Sequence, residues 1–140
     1  MNNDLKREII LDNYQNPANR GLPEDSNYQQ VNSRNESCVD NITVAALVKD
    51  GKIEDIKFDG EACAICTSAT SVMTKELKGK TLEEAEKIVD NYNRMIGELP
   101  YEEEVLGELN IYNEIYKQPS RKRCALLPMD SIKKIIDDNQ

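Results

Sequence analysis

The chain has 140 residues, of which 39% are hydrophobic and 31% are charged, and its formal net charge is −8. This length fits one domain over residues 1–140 with a buried core, and the negative charge argues against non-specific nucleic-acid binding. No apolar run reaches the length of a membrane span, and residues 1–4 do not resemble a signal peptide. We therefore expect a cytoplasmic protein with neither a membrane nor a nucleic acid as its partner.

The first half of the chain predicts one helix and then strands. Residues 4–15 have helical spacing of their apolar side chains, and Asn16-Pro17 ends the pattern. The face expected to be buried consists of Leu5, Ile9, Ile10 and Tyr14. Strands are predicted over residues 28–33, 42–48 and 53–58.

The last two strands are predicted to form a hairpin. Asp50-Gly51 supplies the positive φ angles that a tight turn needs. Ile53 is out of phase with Ile56 and Phe58, which indicates a bulge or an early change of register. Residues 42–48 are apolar on both faces, which is typical of a central or covered strand.

The second half of the chain predicts helices. Residues 64–77 form a helix that Gly79 ends, and a capping box over Thr81-Leu82-Glu83-Glu84 begins another. After a break, residues 101–118 are expected to be a polar segment, part helix and part loop. A final helix is expected to begin near Pro128. The order indicates an α+β fold, a small antiparallel sheet of about three strands with helices packed on it.

Four cysteines and the absence of histidine limit the possible chemistry, because a metal would have to be held by sulfur and oxygen. Cys38 and Asp40 point the same way in an extended chain, and Cys63 lies at a strand-to-helix junction. Together with Cys124 they would supply three sulfurs and one oxygen, which suits zinc. The alternative is that two or three of these cysteines are ordinary buried thiols.

Four segments of the chain resemble motifs of the iron–sulfur cluster assembly scaffold family, the IscU and NifU N-terminal group. The similarity covers nearly the whole chain and is greatest to the SufU-type branch, which implies an IscU/SufU-like fold. The segments are DNYQNPANRG at 12–21, NESCVD at 35–40, FDGEACAIC at 58–66 and RCALL at 123–127.

The resemblance implies that Cys38, Asp40, Cys63 and Cys124 bind zinc. It also implies a SufS-like cysteine desulfurase as partner, with downstream Suf scaffold proteins as further partners. Cys38 is the expected persulfide acceptor and Cys124 the second candidate, which would make the chain a zinc-dependent sulfurtransferase. Two alternatives use the same ligands. One is a scaffold that holds iron in a [2Fe–2S] cluster, and the other is a degenerate partner-binding domain with a structural zinc.

One departure from the family pattern lies inside the expected site. Val39 replaces a glycine between Cys38 and Asp40. If that glycine needs a positive φ, valine there is costly, and the local backbone must differ or be strained. Residues 97–118 correspond to an insertion that the SufU type carries and IscU lacks.

Cys66 is a further departure, since SufU-type chains usually have serine there. It has three interpretations: a ligand that displaces Asp40, a resolving thiol for Cys63, or a small buried side chain. Arg123 precedes Cys124 in the sequence. It is interpreted either as electrostatic support for the Cys124 thiolate or as part of a solvated basic turn.

Overall fold

An antiparallel three-stranded sheet, in the order β1–β2–β3, lies at the centre of the fold. The computed structural model describes residues 1–140. The helices and strands are α1 (Asn3–Gln15), β1 (Gln29–Arg34), β2 (Asn41–Lys49), β3 (Lys52–Glu61), α2 (Ala64–Leu77), α3 (Leu82–Ile96) and α4 (Lys122–Asp138). The predicted α+β class with a small antiparallel sheet is confirmed.

The β2–β3 hairpin has the predicted turn and the predicted bulge. Asp50-Gly51 has positive φ angles of 52° and 74°. Leu47 pairs with Asp55, whereas its neighbour Val48 pairs with Ile53. One residue of β3 is therefore left without a partner, which explains why Ile53 is out of phase in the sequence.

The helices cover one face of the sheet and enclose a single hydrophobic cluster. Both bounds of α2 agree with the prediction, and Gly79 follows it with a φ of 84°. The predicted capping box of α3 is present, because the side chains of Thr81 and Glu84 each accept from the other residue's backbone N–H. No helix is both long and apolar enough to cross a membrane.

The buried face of α1 differs from the prediction. Leu5 and Tyr14 are 44% and 43% exposed, whereas Asn13 is only 3% exposed. Asn13 is buried because the interface between α1 and α2 is partly polar. Its Oδ1 accepts from the hydroxyl of Ser71 at 2.7 Å.

The segment between α3 and α4 contributes to the core more than its polar composition indicates. It forms four short 3₁₀ helices: Glu103–Val105, Gly107–Tyr112, Ile115–Lys117 and Pro119–Arg121. Its buried apolar and aromatic side chains are Leu106, Leu109, Ile111, Tyr112 and Ile115.

The last helix, α4, begins earlier than expected, so that Pro128 lies inside it. Proline in a helix interior removes one hydrogen bond of the helix and is costly. Burial of Cys124, Ala125 and Leu127 ahead of the proline offsets this cost.

Candidate metal centre

Cys63 lies where β3 passes into α2. It is the N-cap of the helix, with the extended backbone angles φ −67° and ψ 170°. Its Sγ accepts from the backbone N–H of Cys66 at 3.5 Å. The free N–H groups and the dipole at a helix N-terminus favour negative charge, which suits a position whose side chain offers an electron-rich ligand to a metal ion.

Asp40 is held against Cys63 by the pairing of the strands. Asn41, at the start of β2, pairs with Glu61 at the end of β3. The preceding residue Asp40 therefore lies beside the start of α2, where it is only 2% exposed. The backbone N–H of Cys63 donates to Asp40 Oδ1 at 2.8 Å.

Close packing at this end of the hairpin depends on Gly60. Its φ is 137°, and a Cβ added there would lie 2.1 Å from the carbonyl oxygen of Asn41. No side chain fits at that position, so the glycine allows the two strands to bring Asp40 and Cys63 together. Its place in a motif two residues after Phe58 is the only signal the sequence offers for this role.

Cys38 lies in the turn between β1 and β2, and Asn35 organises that turn. The backbone N–H of Cys38 donates to the Asn35 carbonyl, and the N–H of Asn35 donates to the Asp40 carbonyl, each at 3.0 Å. The Asn35 side chain accepts from the hydroxyl of Ser37 at 2.8 Å and donates to Cys124 Sγ at 3.9 Å. Asn35 begins the motif at 35–40, and nothing else in the sequence indicates this organising role.

Cys124 completes the cluster from the first turn of α4, where it is 1% exposed. The ligand atoms of Cys38, Asp40, Cys63 and Cys124 all lie within 4.8 Å of one another. Three sulfurs and one carboxylate oxygen at this separation are able to hold a single metal ion, and this donor set suits zinc. The fold thus brings together the four residues that the sequence predicts as metal ligands.

The electrostatics of the cluster favour a cation. Burial alone would raise the pKa of Asp40, but hydrogen bonds from the Cys63 backbone and from the three thiols hold it below its ordinary value. Burial, followed by the hydrogen bond with Asp40, raises the pKa of Cys124 to about 12. A metal ion would displace protons from the thiols, because the sulfur ligand is the thiolate.

The other singled-out residues lie around the cluster. Cys66 is completely buried behind it, and its thiol is not one of the four converging ligand atoms. Val39 is 71% exposed and does not have a positive φ, so the local backbone accommodates valine without the expected strain. Arg123 pairs with Asp130 at 2.6 Å on the exposed side of α4.

The fold and the cluster together define a small α+β domain with a sulfur-rich candidate metal centre at one end of its sheet. The family model described as NifU-like N terminal domain matches residues 5–125. The chain belongs to this family.

Relatives of the chain include a sulfurtransferase and a scaffold protein. The chain is 33% identical to the zinc-dependent sulfurtransferase SufU of Bacillus subtilis, and the match covers 93% of this chain and 88% of the relative. It is 32% identical to the iron–sulfur cluster assembly scaffold protein IscU of Streptococcus pyogenes, with coverage of 96% and 84%.

Solved structures of related proteins have the same fold as this chain. The crystal structure of FiSufU, a SUF-system protein of Fervidobacterium islandicum AW-1, has a TM-score of 0.80 at 30% identity, covering 90% of this chain and 92% of that one. The NifU-like N-terminal domain of Brucella abortus also has a TM-score of 0.80, at 23% identity, over 99% and 98% of the chains. This second likeness concerns the fold alone.

Proposed function

We propose that the chain acts in iron–sulfur cluster biogenesis as a zinc-binding acceptor of persulfide sulfur from a SufS-like cysteine desulfurase. The observation that carries this proposal is the convergence of three sulfurs and the Asp40 carboxylate within 4.8 Å. Zinc bound by these residues would keep the thiols deprotonated near neutral pH. No histidine or other general base is then needed to generate the nucleophile.

Cys38 is the proposed acceptor because of its exposure. It is partly exposed, whereas Cys124 is 1% exposed. The adjacent Val39 is 71% exposed, so the turn is open to an approaching protein. Cys124 is the second candidate, and it would need α4 or the turn to move before a partner could reach its sulfur.

The proposed transfer is a thiol exchange. The Cys38 thiolate attacks the outer sulfur of the desulfurase persulfide, so that a new S–S bond forms on Cys38 while the desulfurase cysteine leaves as a thiolate. The outer sulfur keeps its oxidation state, and no external reductant is consumed. Downstream Suf scaffold proteins would then collect the sulfur.

A scaffold role is the second candidate, because the Streptococcus pyogenes relative is named a scaffold protein. In that case the same three sulfurs and Asp40 would hold a nascent [2Fe–2S] cluster. A purely structural zinc is the third possibility. Its support in the sequence is Val39 together with the altered residues that flank the motifs, and the absence of a positive φ at Val39 weakens the first of these.

Intact-protein mass spectrometry tests the proposal. The zinc-loaded chain is incubated with a SufS-type desulfurase and free cysteine, and metal content is measured on the same sample. We expect a gain of one sulfur atom that disappears in Cys38→Ser. If Cys38→Ser still gains sulfur, the assignment of the acceptor is wrong. Zinc without any sulfur gain in both the wild-type chain and Cys66→Ser, beside an active desulfurase, would contradict sulfur acceptance and favour a structural zinc.

A further inference from the structure

A fourth thiol, that of Cys66, lies directly behind the metal centre and is not used by the proposed function. Cys63 is the N-cap of α2, and Cys66 is the third residue of the same helix. Cys63 Sγ lies 3.5 Å from the backbone nitrogen of Cys66, and that nitrogen is two covalent bonds from the Cβ that carries the second thiol. The two cysteines thus form a Cys-x-x-Cys pair across the first turn of a helix, an arrangement typical of thiol–disulfide chemistry.

The two thiols differ in accessibility in the way that such a pair requires. Cys63 is partly exposed and its sulfur is in the ligand cluster, whereas Cys66 is completely buried and outside that cluster. A reagent or partner protein therefore reaches Cys63 first. Cys66 is shielded from solvent but adjacent to Cys63, which is the position of a resolving thiol.

We propose that Cys66 resolves a persulfide on Cys63 and so releases inorganic sulfide, which makes the chain its own reductant for one turnover. This inference rests on the proposed function, which supplies the persulfide. The Cys66 sulfur attacks the inner sulfur of Cys63–S–S⁻. A Cys63–Cys66 disulfide forms, and the outer sulfur leaves as HS⁻ with the proton of the Cys66 thiol.

The electrons in this step balance within the chain. Two cysteine thiols are oxidised to one disulfide, and the outer sulfur is reduced to sulfide. A persulfide formed on Cys38 reaches Cys63 by transfer of its outer sulfur to the Cys63 thiolate, after which Cys38 is again a thiolate. The short distance between the ligand sulfurs, all within 4.8 Å, allows this transfer inside the cluster.

The test begins with chain that has been persulfidated by a desulfurase and free cysteine, then desalted to remove all small thiols. Sulfide release is measured over time, and disulfides are located by non-reducing peptide mapping. We expect about one sulfide for each persulfide, together with a Cys63–Cys66 disulfide. In Cys66→Ser the persulfide should remain, with sulfide release at least about tenfold slower.

Controls separate this inference from a loss of folding and from a failure of the proposed function. Cys66→Ala is measured beside Cys66→Ser, and for both the thermal unfolding and the mass gain after desulfurase treatment show whether the chain is folded and accepts sulfur. If the wild-type chain keeps its persulfide, or releases sulfide as fast as the Cys66 variants do, the resolving role is wrong while sulfur acceptance stands. If neither the wild-type chain nor the Cys66 variants gain sulfur, both the sulfur-acceptor proposal and the resolving role of Cys66 are wrong.

Discussion

At the scale of single residues, the geometry of the candidate metal centre depends on two positions outside the ligand set. Gly60 sets the close approach of β2 and β3, since any side chain there would collide with the Asn41 carbonyl. Asn35 joins the turn of Cys38 to Asp40 and to Cys124 by hydrogen bonds. Each therefore acts through the position of the ligands.

Replacement of Gly60 by alanine is expected to lower the free energy of unfolding by roughly 2–4 kcal/mol, through steric overlap and a φ of 137° that alanine disfavours. Chemical denaturation measures this change. Gly97→Ala is the control, because its φ is −84° and its added Cβ would lie 3.2 Å from the nearest atom. Equal losses in the two variants would contradict the role given to Gly60.

Replacement of Asn35 by alanine is expected to weaken zinc binding by about 10- to 100-fold, the usual effect of removing a group that orients metal ligands. The change removes the donor to Cys124 Sγ and the acceptor for Ser37. Competition with a chelating indicator measures the affinity. Ser37→Ala loses only the second contact and should bind zinc more tightly than Asn35→Ala. If Ser37→Ala binds zinc more weakly than Asn35→Ala, this interpretation of Asn35 is wrong.

At the scale of elements, the segment between α3 and α4 is part of the core. Its 3₁₀ helices bury Leu109 and Tyr112 completely or nearly so. The Tyr112 hydroxyl lies 2.6 Å from the Ser68 hydroxyl of α2, the helix that begins at Cys63. The segment therefore supports the helix whose N-terminus carries Cys63, a candidate metal ligand.

Truncation of Leu109 to alanine should cost roughly 2–5 kcal/mol of unfolding free energy, because it removes a fully buried side chain and leaves a cavity. Leu99→Ala is the matched control, because it removes the same atoms from a side chain that is 54% exposed. Urea denaturation of both variants gives the comparison. Similar, small losses would mean that the segment is only loosely attached.

The elements also show what the sequence could predict. Both bounds of α2, the capping box of α3 and the bulge in β3 follow from local patterns of apolar residues, caps and turn residues. The buried face of α1 and the apolar side of the 3₁₀ segment do not follow from local patterns. Contacts with other elements decide them, as the hydrogen bond with Ser71 of α2 shows for the buried Asn13. The residue types of the four candidate ligands indicate a zinc site, and their resemblance to the family motifs is what favours it over ordinary buried thiols. Their spacing alone is not that of a metal-binding motif, since the ligands come from separate elements that only the fold brings together.

At the scale of the whole molecule, a pair of ionisable side chains ties the loop before β1 to β3. The Tyr28 hydroxyl donates to Asp55 Oδ2 at 2.5 Å. This hydrogen bond, with burial and nearby carboxylates, raises the pKa of Tyr28 to about 12. Burial alone would raise the pKa of Asp55, but hydrogen bonds from Tyr28 and Lys78 lower it.

The pair should make stability depend on pH in both directions. A raised tyrosine pKa stabilises the fold below its ordinary value of 10.0, and this contribution is lost as the pH rises toward about 12. A lowered aspartate pKa stabilises the fold above the ordinary aspartate range and is lost in acid. The difference in unfolding free energy between wild type and Tyr28→Phe, measured by denaturation, should therefore be largest near neutral pH. A difference that does not change with pH would contradict the pairing.

X-ray absorption at the zinc edge reports the atoms bound to the metal, and so tests whether three cysteines and Asp40 bind one zinc ion. For the zinc-loaded chain we expect three sulfurs at about 2.3 Å and one oxygen at about 2.0–2.2 Å. Asp40→Ala should lose or replace the oxygen while the three sulfurs remain. Four sulfurs in the wild-type chain would mean that Cys66 displaces Asp40, and fewer than three would mean that the cysteines do not converge on one ion.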